Sequence, residues 1–224
     1  MGVNYNNRVI TDGLVLYLDA ANPKSYPGSG TTCYDLSENM NTGALINGVG
    51  YSSENKGSFT FDGLNDAITS SSANIPISTT VTVSAWVKHN TLPNSTQRYL
   101  TIGNEVAVIR HDGVSSSGQL HFYIRTNGTI KNALRVNNSL TTNTWYYVVG
   151  TWDGTTSRLY KNAVQIGTNV PGGTLNGGNL TFYILSSDGE PLNGNIAQVS
   201  VYNRALSADE ITQNYNAFKG RFGL

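Results

Sequence analysis

The chain predicts an all-β fold: a two-sheet antiparallel sandwich with one short C-terminal helix. Three observations carry this. Short runs of alternating apolar residues recur along its 224 residues, the period of half-buried strands. The stretches between them carry turn residues, as in "DGLND" (62–66), "HDGVSSSG" (111–118), "TNG" (126–128), "DGTTS" (153–157), "PGGTLNGG" (171–178) and "SDGEPLNG" (187–194). There Gly supplies positive φ and Asn or Asp bonds the nearby backbone. One strong helix-start signal stands near the end, in "VYNRALSADEI" (201–211).

In chain order, "GLVLYLDA" (13–20) places Leu14, Leu16 and Leu18 on one face, and "SFTFDG" (58–63) does the same with Phe59 and Phe61. "TVTVSAWVKH" (80–89) carries Val81, Val83, Ala85 and Val87, and "QLHFYIRT" (119–126) carries Leu120, Phe122 and Ile124. "WYYVVGTW" (145–152), "SRLYKNAVQIG" (157–167), "LTFYIL" (180–185) and "GNIAQVSVYN" (194–203) complete the series. Two packed sheets bury so many one-sided strands economically. Trp86, Trp145 and Trp152 fall inside these strands and belong to the core or a sheet face. "RHDG" (110–113) reads as a turn, and His121, alternating with Phe122, as a solvent-facing strand residue.

The helix is signalled residue by residue. Ser207 and Glu210 stand at capping-box spacing, and Leu206 and Ile211 are placed to staple its entry. Asp209 and Glu210 favour the positive end of the helix dipole. Ile211, Tyr215 and Phe218 follow as one apolar stripe, with Gly220 as a stop. Such a helix lies against the sandwich and covers apolar surface. Residues 1–12 read as an N-terminal arm, 13–218 as the domain, and 219–224 as a C-terminal tail.

Composition narrows the partners. With 14 basic and 14 acidic residues the formal charge is zero, and charged residues make up only 12 % of the chain. No Lys or Arg run could track a phosphate backbone, so nucleic acid is not the expected partner. No 18-residue apolar run and no leader-like apolar segment is visible, so neither membrane insertion nor export by a signal peptide is expected. The single cysteine, Cys33, cannot form an internal disulfide. His89, His111 and His121 lack metalloprotease spacing, and "GVSSSG" is not a nucleophile elbow. Tyr26, Tyr34, Tyr51 and Tyr99 lie in or beside predicted loops, where an exposed ring could stack on a sugar.

"NGNIAQVSVYNRALSADEI" resembles the closing signature of laminin-G-like, concanavalin A-like lectin/glucanase jelly-roll domains. "FTFDGLNDAI" (59–68), "TVSAWVK" (82–88) and "WYYVVGTWDG" (145–154) match further pieces in the right order. "GLVLYLDAANPKSYPGSGTTCYDLS" and the ending "QNYNAFKGRFGL" are similar to stand-alone domains of this type in tailed bacteriophages, particularly cyanophage-like ones, where Trp commonly stands in place of Cys33. The hairpin that relatives write with Gly reads Asn162-Ala163 here, implying a looser turn. The shared fold also implies that the first and last long strands lie side by side, with Asp19 pairing with Arg204.

The resemblance implies a non-enzymatic virion protein, a decoration or structural component of the head, neck or tail exterior, assembled in the host cytoplasm. Its expected partners are other virion proteins, copies of itself and a host-surface glycan held by display loops. The alternative is a secreted or cell-surface bacterial lectin or adhesin. A glycan hydrolase is the third reading, but retaining glucanases of this architecture carry E-x-D-x-(x)-E on one strand. None of Glu38, Glu54, Glu105, Glu190 and Glu210 has Asp two residues later. Related domains bind Ca²⁺ with loop acids, which by position implies Asp66 and Asp188, with Asp62 and Glu190 nearby. Ser186 and Ser187 replace the additional acids of calcium-binding relatives.

Overall fold

The computed structural model describes residues 8–70, 72, 74–113, 118–170, 172–184 and 190–224, the side chains of 130–133 excepted. The predicted jelly-roll sandwich is present. The strands are β1 (Leu14–Asp19), β2 (Thr32–Cys33), β3 (Gly43–Ile46), β4 (Gly50–Ser52), β5 (Ser58–Asp62), β6 (Ala67–Ser70), β7 (Ile75–Ile77), β8 (Val81–His89) and β9 (Gln97–Ile102). They continue as β10 (Ala107–Asp112), β11 (Gln119–Thr126), β12 (Thr129–Val136), β13 (Trp145–Trp152), β14 (Ser157–Lys161), β15 (Val164–Asn169), β16 (Gly178–Leu180), β17 (Phe182–Ile184) and β18 (Asn193–Tyr202). Helix α1 spans Ala208–Phe218.

Among the described residues, the first sheet runs β15-β14-β13-β8-β18-β5-β4, with β1 also on β18, and the second runs β12-β11-β10-β9-β17-β6-β3-β2. β16 and β7 form a separate two-stranded ribbon. β5 and β1 share one side of β18 in succession, β5 against Asn193–Ile196 and β1 against Gln198–Tyr202. The first and last long strands are therefore neighbours, as the resemblance implies.

Between the sheets, alternate residues of facing strands form one core, including Val81, Val83, Ala85 and Val87 from β8 and Leu120, Phe122 and Ile124 from β11. Gly150 of β13 sits where a Cβ would lie 2.2 Å from the Phe122 ring, so that ring needs a side-chain-free partner across the core. Leu16 and Leu18 enter this core, but Leu14 does not, because a register shift between Leu14 and Leu16 turns it to the outer face.

All eight residues of β13 are buried, since its outer face is covered too. There Trp145, Tyr147 and Val149 join Trp86, Tyr160, Tyr202, Leu206 and Ile211 in a second cluster roofed by α1. Ser207 accepts from the Glu210 amide while the Glu210 side chain accepts from the Ser207 amide. Gly220 does not end the chain's helical path: a 3-10 turn, Lys219–Phe222, continues from α1.

That turn corrects the reading of 219–224 as a tail. Phe222 stacks on Trp86 and lies tilted against Trp145, with centroids 4.3 and 4.7 Å away. Arg221 donates to Asp19 Oδ1 at 2.8 Å, to the Asn55 carbonyl at 2.5 Å and to the Gly57 carbonyl. The arm is likewise folded down over its described part, with Ile10 N donating to Asn214 Oδ1 and Gln213 donating to the Arg8 carbonyl.

Asp19 therefore does not pair with Arg204. In the antiparallel register Asp19 lies opposite Gln198, whereas Tyr202 already meets Leu14. Arg204 falls beyond the other end of β1, and it pairs with Asp12 at 2.8 Å and Glu210 at 2.6 Å. The Asn162-Ala163 turn is tight rather than loose, with both residues at positive φ, 50° and 66°. "RHDG" is not a turn either: Arg110, His111 and Asp112 belong to β10.

Candidate ligand-binding face

With α1 over the first sheet, the outer face of the second sheet is where charge collects. Register places Arg98 of β9 opposite Arg110 of β10, Arg110 opposite His121 of β11, and His121 opposite Arg135 of β12. Adjacent strands stand roughly 4.8 Å apart, so three guanidiniums and an imidazole form a lateral row across four strands. Ile109, Leu120, Phe122 and Leu134, their sequence neighbours, point into the core, which fixes the row on the opposite face. Register shifts flank it, one between Ile109 and Arg110 and another between Phe122 and Ile124. Bulges of this kind re-aim side chains beside functional sites.

Acids thread between the cations. Glu190, from the chain leading into β18, accepts from Arg98 and from Arg110 Nη1, the latter at 3.0 and 3.1 Å. Glu105 accepts from Arg98 at 2.5 Å, from the Tyr123 hydroxyl at 2.9 Å and from Arg125 at 2.8 Å. Asp112 accepts from Arg135 Nε at 2.7 Å. Arg110 also lies over the Tyr123 ring, 5.0 Å from its centroid, a cation–π contact.

The electrostatics follow from that packing. Burial alone would raise the Glu105 and Asp112 carboxyls, but arginine hydrogen bonds and charges hold both below the usual carboxylate range. Burial, with Arg110 and Arg135 on either side, pushes His121 well below its ordinary value, so it is neutral at pH 7. His121 Nδ1 lies 3.0 Å from Arg110 Nε and 3.1 Å from Asp112 Oδ2. A guanidinium only donates. Nδ1 thus sits between the donor-only Arg110 guanidinium and the acceptor-only Asp112 carboxylate, and bonds one or the other according to its tautomer.

His121 is buried between Arg110 and Arg135 on the adjacent strands, not solvent-facing as its alternation with Phe122 predicts. His89 and Tyr99 belong to the other face of the sandwich wall: His89 bonds Gln97 Oε1 and the Tyr99 hydroxyl, both at 2.7 Å, between the sheets.

The residues singled out as ligands separate. Tyr99 is wholly buried within β9, and Tyr26 is buried against Tyr51 and Phe59 with its hydroxyl on the Gly30 carbonyl, so neither offers a ring to a ligand. Tyr34 and Tyr51 remain exposed, at 51 % and 36 %. Tyr34 follows β2, at the end of the second sheet away from β12. Asp62 and Asp66 share one turn, where Asp66 Oδ2 accepts from the Asp62 amide. Glu190 is held by Arg98 and Arg110 instead. Asp188 lies outside the described residues. Among the described residues no group of three or more His, Cys, Asp or Glu side chains is placed to hold a metal ion.

The row itself was not read from the sequence. A usable signal is present: four of the eight arginines fall between positions 98 and 135, each beside residues of strand character.

The laminin-G-type family described as the concanavalin A-like lectin/glucanases superfamily matches residues 61–212, more than half of the chain. The chain belongs to this family. The match covers β6 through β18 and the start of α1, hence every element of the charged row. No curated protein matches the chain in sequence.

Solved structures share the family's fold. The binding domain of Paraclostridial Mosquitocidal Protein 1 is similar at 18 % identity and TM-score 0.68, over 92 % of this chain and 52 % of that one. The binding domain of botulinum neurotoxin DC in complex with rat synaptotagmin II is similar at 14 % and 0.71, over 93 % and 52 %. The chain thus spans about half the length of these toxin domains. Domain 4 of AbnA, an extracellular arabinanase from Geobacillus stearothermophilus in complex with arabinotriose, is similar at 15 % and 0.69, over 92 % and 100 %. At these identities the likeness is one of fold.

Proposed function

We propose that the chain is a non-enzymatic, carbohydrate-binding jelly-roll domain whose binding face is the outer surface of β9–β12. The observation that carries this is the Arg98–Arg110–His121–Arg135 row with its interleaved acids. Buried charge is costly unless paired, and apolar replacements are commonly as stable or more so. A polar network of this size on the outer side of a sheet, largely buried but opening to solvent at Arg135, therefore fits recognition better than folding. The fold it decorates also serves a domain solved with arabinotriose.

Binding without hydrolysis is supported by the state of the carboxyls. Glycoside hydrolysis needs one carboxylic acid kept protonated, whereas arginines hold Glu105 and Asp112 ionised. A glycan array probed with the purified chain tests the reading: retention of a defined glycan, without release of reducing ends, is expected. Failure to retain any glycan would overturn it.

The setting proposed for this binding is the exterior of a tailed-phage particle, supported by the resemblance of residues 13–37 and 213–224 to stand-alone phage domains. Arg221 and Phe222 pack against the domain while Gly220, Gly223 and Leu224 stay exposed, so only these exposed residues of the segment are left for particle contacts. Mass spectrometry of purified particles should find the chain in stoichiometric amounts; its absence would leave a lectin or adhesin outside a virion.

A further inference from the structure

Donors and acceptors on the outer face of β9–β12 do not balance once the internal bonds are made. Both oxygens of Glu105 and both of Glu190 already accept from arginines. Arg135 commits only its Nε, to Asp112, and both terminal nitrogens have no partner among the described residues on a side chain 48 % exposed. Arg125 Nε and His121 Nε2 are buried with no partner among the described residues. One amide acceptor, Gln119 Oε1, is also unmatched, and the Thr101 hydroxyl can act either way. Donors exceed acceptors, and each unmatched buried polar group costs about 1–3 kcal/mol.

Resting on the reading of this face as a glycan site, we infer that its ligand is a carboxylated sugar, with the carboxylate seated on the terminal fork of Arg135 beside His121. An ionised carboxylate only accepts, so it satisfies leftover donors without adding new ones. A neutral sugar brings a donor with every hydroxyl, and few acceptors here remain for them. The guanidinium fork matches a carboxylate in two parallel hydrogen bonds, geometry that an ammonium cannot reproduce. Arg135 is the exposed end of the row, and Asp112 orients it through Nε. Its neighbour His121 is neutral and adds no second full charge.

The test is calorimetric titration with two matched pairs: oligogalacturonate against its carboxyl-reduced counterpart, and sialyllactose against lactose. At least one carboxylated member should bind about tenfold or more tightly than its neutral partner. Arg135→Gln, whose amide can keep the donor to Asp112, should weaken that binding by roughly 10- to 100-fold while the chain still melts cooperatively as a folded domain, and Arg135→Lys should not restore it. Equal binding of acidic and neutral members, or an Arg135→Lys variant as tight as the parent, would overturn the inference and leave the glycan reading standing. Absence of binding by these probes, alongside an array that retains only neutral glycans, would overturn it too. An array that retains nothing removes the glycan reading itself.

Discussion

Arg221→Ala removes one cation from the end of the chain and tests whether the last six residues belong to the fold. Its side chain is 6 % exposed and that of its partner Asp19 10 %. Breaking a buried pair from one side typically costs about 3–5 kcal/mol, because the remaining charge stays buried. Asp19 keeps the Ala21 amide at 3.0 Å and the Tyr17 hydroxyl at 3.4 Å, which places the expected loss near the lower end, about 3 kcal/mol. The Asn55 and Gly57 carbonyls also lose their donor. At about 2–4 °C per kcal/mol for a chain of this size, the melting temperature should fall by roughly 6–12 °C. Urea unfolding should show the lower midpoint with an unchanged slope, and Asp19→Asn in the same background should cost much less than it does alone. A variant melting within about 2 °C of the parent would refute this and return 219–224 to the status of a loose tail.

Ala163→Gly should stabilise the β14–β15 hairpin. Ala163 is held at φ 66°, a conformation costing an L-residue about 1–2 kcal/mol, partly offset by the larger entropy of an unfolded glycine; a rise of a few degrees in thermal melts is expected. Glu210→Gln should lower stability by about 1 kcal/mol at pH 7 through the capping box. Hydrogen bonds from Arg204 hold the Glu210 carboxyl down at about 2. The folded value lies below the unfolded one, so this stability is complete above about pH 4.5 and lost as pH falls toward about 2; the gap between variant and parent should close over that window. Burial raises the Asp66 carboxyl, and Asp66 Oδ1 has no partner among the described residues, so Asp66→Asn should raise the melting temperature at neutral pH. Millimolar calcium should leave the parent's melting temperature unchanged, because Glu190 is occupied by arginines; a rise that Asp66→Asn abolishes would establish a site.

The sandwich was legible because one-sided strands advertise themselves. Val81, Val83, Ala85 and Val87 alternate without interruption and all lie in the inter-sheet core. Local chemistry also located the start of α1, since Ser207 and Glu210 need only each other and the backbone. Position along the sandwich was not legible. Asp19 and Arg204 lie on or beside neighbouring strands, but their relation depends on antiparallel register, which no local pattern encodes. The edge strands β2 and β4, and β3 next to β2, are short, at two to four residues, and too brief to show a period.

The charged row on β9–β12 was hidden for a related reason. Arg110 and His121 are separated by a predicted turn in sequence and joined only by β10–β11 pairing. Charged residues in "RHDG" resemble turn chemistry because Asp and Gly serve both purposes, and the arginines that flank the buried His121 come from other strands. Tyr99 erred the opposite way: the polar stretch before β9 suggested a loop, but its ring completes a buried polar contact with His89.

Where a glycan lands on this sandwich is best observed by amide hydrogen exchange with and without the sugar retained from the array. Protection concentrated in peptides covering 97–112 and 119–136 is the expected result. Protection confined to 26–51, around Tyr34 and Tyr51, with the β9–β12 peptides unchanged, would contradict the assignment of the binding face.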